Sequence, residues 1–195
     1  MKTTNETTNN DLTIEQLKSI ALKQHLGENY FVLDGKVYEG TEDEAREQYL
    51  EQDADINGYL PTDERFEPDF HQWCEENLTE VAEYDEDNYN NDYLVLTDSE
   101  ADEEAKRYIL DSVWAFKPSF LSSFTGFDIE VFEAIQNNGR CESNNDAILS
   151  MIKDEDDFVS DAISADGRGH FISSYDGNEN EETVNGTTFY IYRQN

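Results

Sequence analysis

The chain has 195 residues, of which 46 are Asp or Glu and 13 are Lys or Arg, for a formal net charge of −33. A surface dominated by carboxylates repels DNA, RNA and anionic membranes, so direct nucleic-acid binding and membrane binding are excluded; cationic proteins and divalent cations are attracted. Aromatics make up 12% of the residues, including 11 Tyr and 11 Phe, whereas disordered acidic tails are poor in them, so a packed core is expected beneath the charged shell.

Residues 1–11 are Thr- and Asn-rich and read as a flexible N-terminus. Thr13 with Gln16 has capping-box spacing and opens a predicted helix with an apolar stripe of Leu17, Ile20, Ala21 and Leu26, closed at Gly27. Asp34-Gly35, set between Phe31-Val32-Leu33 and Lys36-Val37-Tyr38, predicts a hairpin. Thr41 with Glu44 repeats the capping spacing and starts a helix to about Gln52. After a turn-rich stretch, a helix beginning near Pro68 is predicted to carry Phe66, Phe70, Trp73, Leu78 and Val81. Asp85 to Asp92 reads as an acidic loop, dividing an acidic N-terminal subdomain (12–88) from a C-terminal α+β domain (89–195).

In the second half, Tyr93-Leu94-Val95-Leu96 predicts a strand, and Thr97 with Glu100 caps a helix bearing Ala105, Tyr108, Ile109 and Val113. Pro118 breaks the chain. Short helices are predicted over 128–137, 145–153 and 155–164, followed by a Gly-rich turn, Asp166-Gly167-Arg168-Gly169-His170. Asn185-Gly186 predicts the turn of a last hairpin ending in Phe189-Tyr190-Ile191-Tyr192. The expected fold is α+β, with several short helices packed on a small, mainly antiparallel sheet with hairpins.

The acidity is concentrated. From Glu47 to Glu104 there are 21 acidic residues and one basic residue, Arg65, a local net charge of −20. Asp43 with Glu47, Glu47 with Glu51, Glu76 with Glu80, Glu80 with Glu83, and Glu100 with Glu104 fall at helical neighbour spacing, where like charges repel. With so few cations nearby in sequence, the repulsion is expected to go uncompensated. Carboxylates on one helix face lie about 5–6 Å apart at Cβ, and B-DNA presents one charge per roughly 1.7 Å of axis, so rows of them imitate a phosphate backbone. The candidate partner surface is Asp43, Glu44, Glu47, Glu51, Glu75, Glu76, Glu80, Glu83, Asp85, Glu86 and Asp87, and the candidate partner is a basic nucleic-acid-binding protein. A homodimer would lengthen such a surface. The alternative is a solvated structural face.

Residues Asp53 to Glu64 fit the EF-hand loop pattern: Asp53, Asp55 and Asn57 as side-chain ligands, Gly58 at the sharp turn, Tyr59 through its carbonyl, and Glu64 bidentate. Calcium is therefore the one cofactor the sequence suggests, although Pro61 and Pro68 fall at awkward positions and no second loop pairs with it. Cys74 and Cys141 form no CxxC pair, which argues against zinc and a disulfide scaffold. Asp166, Arg168, His170, Tyr175 and Asp176 form a polar group that reads either as an acid/base site or as a hydrogen-bonded turn holding the final hairpin. His71 reads as structural, and Phe116, Phe120, Phe124, Phe127 and Phe132 read as core. No HExxH, GxSxG or Walker A pattern occurs, and the expectation is a non-enzymatic protein. The polar N-terminus lacks the apolar stretch of a secretory signal, so the cytoplasm is the expected location.

Four blocks carry a resemblance: Leu94-Val-Leu-Thr-Asp-Ser-Glu-Ala-Asp102, Ala115-Phe-Lys-Pro-Ser-Phe-Leu121, Ala165-Asp-Gly-Arg-Gly-His-Phe171 with Ser174-Tyr-Asp-Gly177, and Tyr190-Ile-Tyr-Arg193. Through them the second half resembles an uncharacterised family of small acidic bacteriophage and prophage proteins. The resemblance implies a phage product acting inside a bacterial host cell. By analogy with acidic phage inhibitors, it implies a role against a host defence protein such as a restriction enzyme or CRISPR effector. It supplies no catalytic residues and does not cover the N-terminal half.

Overall fold

Three capping boxes and two tight hairpin turns set the local structure. A computed structural model describes residues 12–54, 66–85, 92–138 and 141–195, with only the backbone of residues 53 and 54. The architecture is α+β: among the described residues, nine helices accompany two small antiparallel sheets of two and three strands. No helix among them is long and apolar enough to cross a membrane. By internal contacts the chain forms two compact units, Met1–Asn91 with Glu181–Ile191, and Asp92–Asn180 with Tyr192–Asn195.

In the first unit, helix α1 (Ile14–Leu26) begins at a reciprocal cap. The Thr13 N–H donates to Gln16 Oε1 at 2.9 Å, and the Gln16 N–H donates to Thr13 Oγ1 at 3.1 Å. Its buried face is Ile20, Ala21 and Leu22. Leu26, read into the apolar stripe, sits in the last turn and is exposed. Strands β1 (Tyr30–Leu33) and β2 (Lys36–Glu39) pair antiparallel, Leu33 opposite Lys36. Asp34 and Gly35 both take positive φ, 48° and 76°, as a two-residue hairpin turn of the right twist requires.

Helix α2 (Glu42–Tyr49) follows its own capping box at Thr41 and runs into a π-helical segment, Leu50–Ala54. Helix α3 (Phe66–Asn77) tolerates Pro68 because it lies in the first turn, where N–H groups have no intrahelical acceptor. This helix stops at Asn77, short of Val81. Residues 79–81 instead run extended beside β2: the Glu39 N–H donates to the Thr79 carbonyl at 3.1 Å, and the Val81 N–H donates to the Val37 carbonyl at 2.7 Å. Pairing with β2 takes the place of helix here, and it buries Val81 while Thr79 and Glu80 stay exposed. Phe31, Tyr38, Tyr49, Phe66, Phe70, Trp73 and Cys74 form the core, with the Tyr49 ring 5.2–5.8 Å from those of Phe66, Phe70 and Trp73.

In the second unit, strand β3 (Tyr93–Leu96) leads through the Thr97–Glu100 capping box into α4 (Asp98–Asp111). Val113 lies beyond α4 in a 3-10 turn, Val113–Ala115. Pro118 starts a helix rather than only ending one: it is the first residue of α5 (Pro118–Thr125), where its fixed φ suits the helix. Then come α6 (Ile129–Gln136), α7 (Asn145–Leu149), α8 (Glu155–Asp166) and α9 (Arg168–Ile172). Of the predicted turn at 166–170 only Gly167 lies outside a helix: Asp166 ends α8, and Arg168, Gly169 and His170 open α9. The core gathers Ile109, Val113, Leu121, Phe132, Ile148, Phe158 and Phe171. Strands β4 (Asn180–Val184) and β5 (Thr187–Arg193) form the last hairpin, whose Glu181–Ile191 portion belongs to the first unit.

Candidate functional site

The carboxylate surface of the first unit is built on α2, α3 and the extended segment after α3. Asp43, Glu44, Glu47, Glu51, Glu75, Glu76, Glu80, Glu83 and Asp85 are all exposed, while Glu86 and Asp87 lie outside the described residues. The nine are not equivalent. Glu44 serves the α2 cap through Thr41, Glu75 accepts from Lys36 Nζ at 3.0 Å, Glu76 accepts from Gln72 at 2.8 Å, and Glu83 accepts from Thr13 at 3.2 Å.

Asp43 and Glu47 occupy one face of α2 at i,i+4, and Glu51 follows four residues later in the π-helical segment. None of these three takes a hydrogen-bond or ion-pair partner among the described residues. The described cations of this unit are committed elsewhere. Lys18 lies over the Tyr84 ring at 5.7 Å, Lys23 pairs with Glu28 and Glu39, and Lys36 pairs with Glu75. Arg46 holds Glu67 with both terminal nitrogens at 2.9 and 3.0 Å, bonds Glu42 through Nε at 2.8 Å, and lies 4.5 Å over the Phe70 ring. Burial opposes the Arg46 charge, but the Glu67 and Glu42 carboxylates outweigh it and raise the pKa.

Two expectations about repulsion need correction. Glu80 and Glu83 lie beyond the end of α3, Glu80 in a bridge to Tyr38, so their spacing to Glu76 and to each other is not that of helix neighbours. Glu100 and Glu104 do share α4, but Glu100 closes the Thr97 cap and Glu104 accepts from Arg107 Nε at 3.1 Å. Among the described residues, Asp43 and Glu47 on α2, with Glu51 just after it, are the row that no cation pairs with.

The polar group around residue 168 separates into three parts. Arg168 reaches away from the turn: its Nε and Nη2 donate to Glu179 at 3.0 and 3.2 Å, and its Nη1 donates to Asp98 and Asp102 at 2.8 and 2.9 Å. Its side chain is 12% exposed. Burial disfavours the charge, yet the Glu179 and Asp98 carboxylates more than offset this and hold the guanidinium above its ordinary pKa. Asp176 accepts from Ser173 Oγ and from the Asn178 N–H, both at 2.9 Å. The Asn178 N–H and then Ser173 hold its carboxyl below the usual carboxylate range. Tyr175 lies beneath the Arg193 guanidinium at 3.9 Å. His170 and Asp166 are exposed and join neither network.

These two residues instead line a cleft of about 510 Å³ with Tyr108, Trp114, Phe116, Lys117, Phe120 and Phe171. Phe116 and Phe120, read as core, are half-buried here: their rings rest on the fully buried Phe158 at 5.0 and 5.1 Å and face the cleft above. Phe127 is likewise 49% exposed, whereas Phe132 is buried as expected. His71 donates to the Asp34 carboxylate through Nδ1, tying α3 to the first hairpin turn, a contact no local pattern announces.

Among the described residues no group of three or more His, Cys, Asp or Glu is placed to hold a metal ion. The calcium reading at Asp53, Asp55, Asn57, Tyr59 and Glu64 falls outside the described residues, apart from the backbone of Asp53. Set against family models, curated proteins and solved structures, the chain matches none.

Proposed function

We infer that this chain is a non-enzymatic inhibitor that presents the α2 carboxylates to a cationic, nucleic-acid-binding protein in place of phosphate. The observation that supports this reading most is the row Asp43, Glu47 and Glu51, exposed and unneutralised while every described Lys and Arg of its unit is engaged elsewhere. A protein that needed only a solvated surface would gain by placing Lys at i+4 from such residues. Here the field is left open toward solvent, where it speeds encounter with a positive patch. Glu75, Glu76, Glu80, Glu83 and Asp85 extend the same negative sign over neighbouring segments. The bacteriophage setting, and with it a host restriction enzyme or CRISPR effector as target in the bacterial cytoplasm, rests on the motif resemblance alone.

The test is retention of partners from bacterial lysate on the tagged chain, followed by a DNA wash and mass spectrometry. A basic nucleic-acid-binding protein released by DNA, and lost when Asp43, Glu47 and Glu51 are all changed to Lys, is the expected result. Binding that persists in the triple variant, or that does not weaken as salt is raised, would overturn the reading.

A further inference from the structure

The cleft of the second unit is a separate feature, and we propose that it binds an arginine side chain from a protein partner. This goes beyond the carboxylate reading and does not depend on the α2 row.

Three observations point to a guanidinium. The first is the lining. Phe120, Phe116, Phe171 and Tyr108 follow one another with centroid separations of 5.4, 6.2 and 6.3 Å. The first two pairs are 22° from parallel, and separations this long mean offset rather than face-on stacking; Phe171 is buried, while Phe116 and Phe120 are half-buried and Tyr108 is exposed, so these three offer ring surface to the cleft. A guanidinium is flat and weakly hydrated and stacks on such faces, whereas an ammonium holds its water more tightly.

The second is charge. Asp166 lines the cleft; on the helix that supplies Tyr108, Lys106 and Arg107 pair with Asp156 and Glu104, while Asp111 one turn on is exposed. Lys117 and His170 are the opposing groups in the lining. The unit as a whole is acidic, so the field favours a cation over an anion of the same shape. The third is that, among the described residues, Arg46 lies over Phe70 at 4.5 Å and Arg193 over Tyr175 at 3.9 Å, both closer than the 5.7 Å of Lys18 over Tyr84. A volume of about 510 Å³ leaves room for the side chain and part of its backbone.

The probe is the blocked pentapeptide Gly-Gly-Arg-Gly-Gly, titrated into the full ¹⁵N-labelled chain while the Trp114 indole N–H resonance is followed. The Trp73 indole, buried in the core of the first unit, serves as the reference signal that should not respond. Peptides with Lys or Ala in place of Arg are the comparators. The arginine peptide is expected to move the Trp114 signal saturably and more tightly than either comparator. Tyr108→Ala should weaken it by about two- to thirtyfold, the range of a cation–π contact. Asp166→Asn should weaken it less, and Lys117→Ala should tighten it. All three positions are exposed, so the variants are expected to fold, and unmoved backbone N–H signals of the buried core residues Leu121, Phe132 and Ile148 of the same unit check that.

The proposal fails if the Trp114 signal does not respond by about 50 mM peptide, a generous ceiling for a weak fragment. It fails equally if the Lys and Ala peptides bind as well, or if Lys117→Ala weakens binding, which would indicate an anionic ligand. The Asp43, Glu47 and Glu51 triple change should leave this titration unaltered, so failure here and failure of the carboxylate reading are separable.

Discussion

The Tyr192 hydroxyl donates to Glu179 Oε2 at 2.6 Å, and the same oxygen accepts from Arg168 Nε at 3.0 Å. One carboxylate therefore orders a strand tyrosine and a nearly buried guanidinium whose remaining donors reach Asp98 and Asp102 on α4. Removing the arginine would leave three carboxylates of like sign facing each other. Arg168→Ala should destabilise the chain by roughly 2–4 kcal/mol, the range for breaking a largely buried ion pair. Arg168→Lys keeps the charge but loses the two-pronged geometry on Glu179, so it should recover only part of this. Chemical denaturation of the three proteins side by side decides it; an alanine variant as stable as the parent would show the network to be inert.

Burial pushes the Cys74 thiol from 9.0 up to about 11, against a smaller lowering by Arg46. Between those values the unfolded chain has lost the proton and the folded chain still holds it. The stabilising contribution is therefore complete below pH 9 and is lost as pH rises toward about 11. At about 1.4 kcal/mol per unit, the total is roughly 2–3 kcal/mol. Stability measured across this window should fall more steeply for the parent than for Cys74→Ala. Parallel slopes would contradict the assignment.

Gly169 lies against the backbone of residues 177–179. A Cβ there would sit 2.5 Å from the Gly177 carbonyl oxygen and 2.7–2.8 Å from backbone atoms of Asn178 and Glu179. Gly169→Ala gains about 1 kcal/mol of helix propensity in α9 but forces apart the segment that delivers Glu179 to Arg168. The net effect should be a loss of about 1–3 kcal/mol, the usual range for overpacking. An unchanged or raised Tm would show that the segment yields freely.

With a formal charge of −33, self-repulsion opposes the folded state more than the scattered surface ion pairs favour it. Raising salt from about 0.01 M to about 0.1 M shortens the screening length from about 30 Å to about 10 Å. Tm should rise with it. A fall would mean that pairs such as Lys23 with Glu28 outweigh the repulsion.

What was legible in the sequence was local. Thr13 with Gln16, Thr41 with Glu44 and Thr97 with Glu100 each form the reciprocal cap their spacing suggests, because the partners are three residues apart and need nothing else in the fold. Asp34-Gly35 and Asn185-Gly186 turn the hairpins for the same reason. Val81 was misread because its helical spacing from Phe70 and Trp73 cannot reveal β2 waiting as a pairing partner some forty residues earlier. The α9 helix hid behind two glycines, and the Arg168 partners Asp98 and Asp102 lie 70 and 66 residues away. Of the candidate site, the acids and their exposure could be anticipated. Which of them stay unpaired could not, since that depends on where Lys36, Arg46 and Arg107 are delivered by the fold.

The first unit draws its residues from both ends of the chain, Met1–Asn91 and Glu181–Ile191. During synthesis its first ninety-one residues emerge long before the last hairpin does. At about 5–20 residues per second, translating the intervening segment takes on the order of 5–20 s. Throughout that interval the acidic unit is on the ribosome without its closing piece.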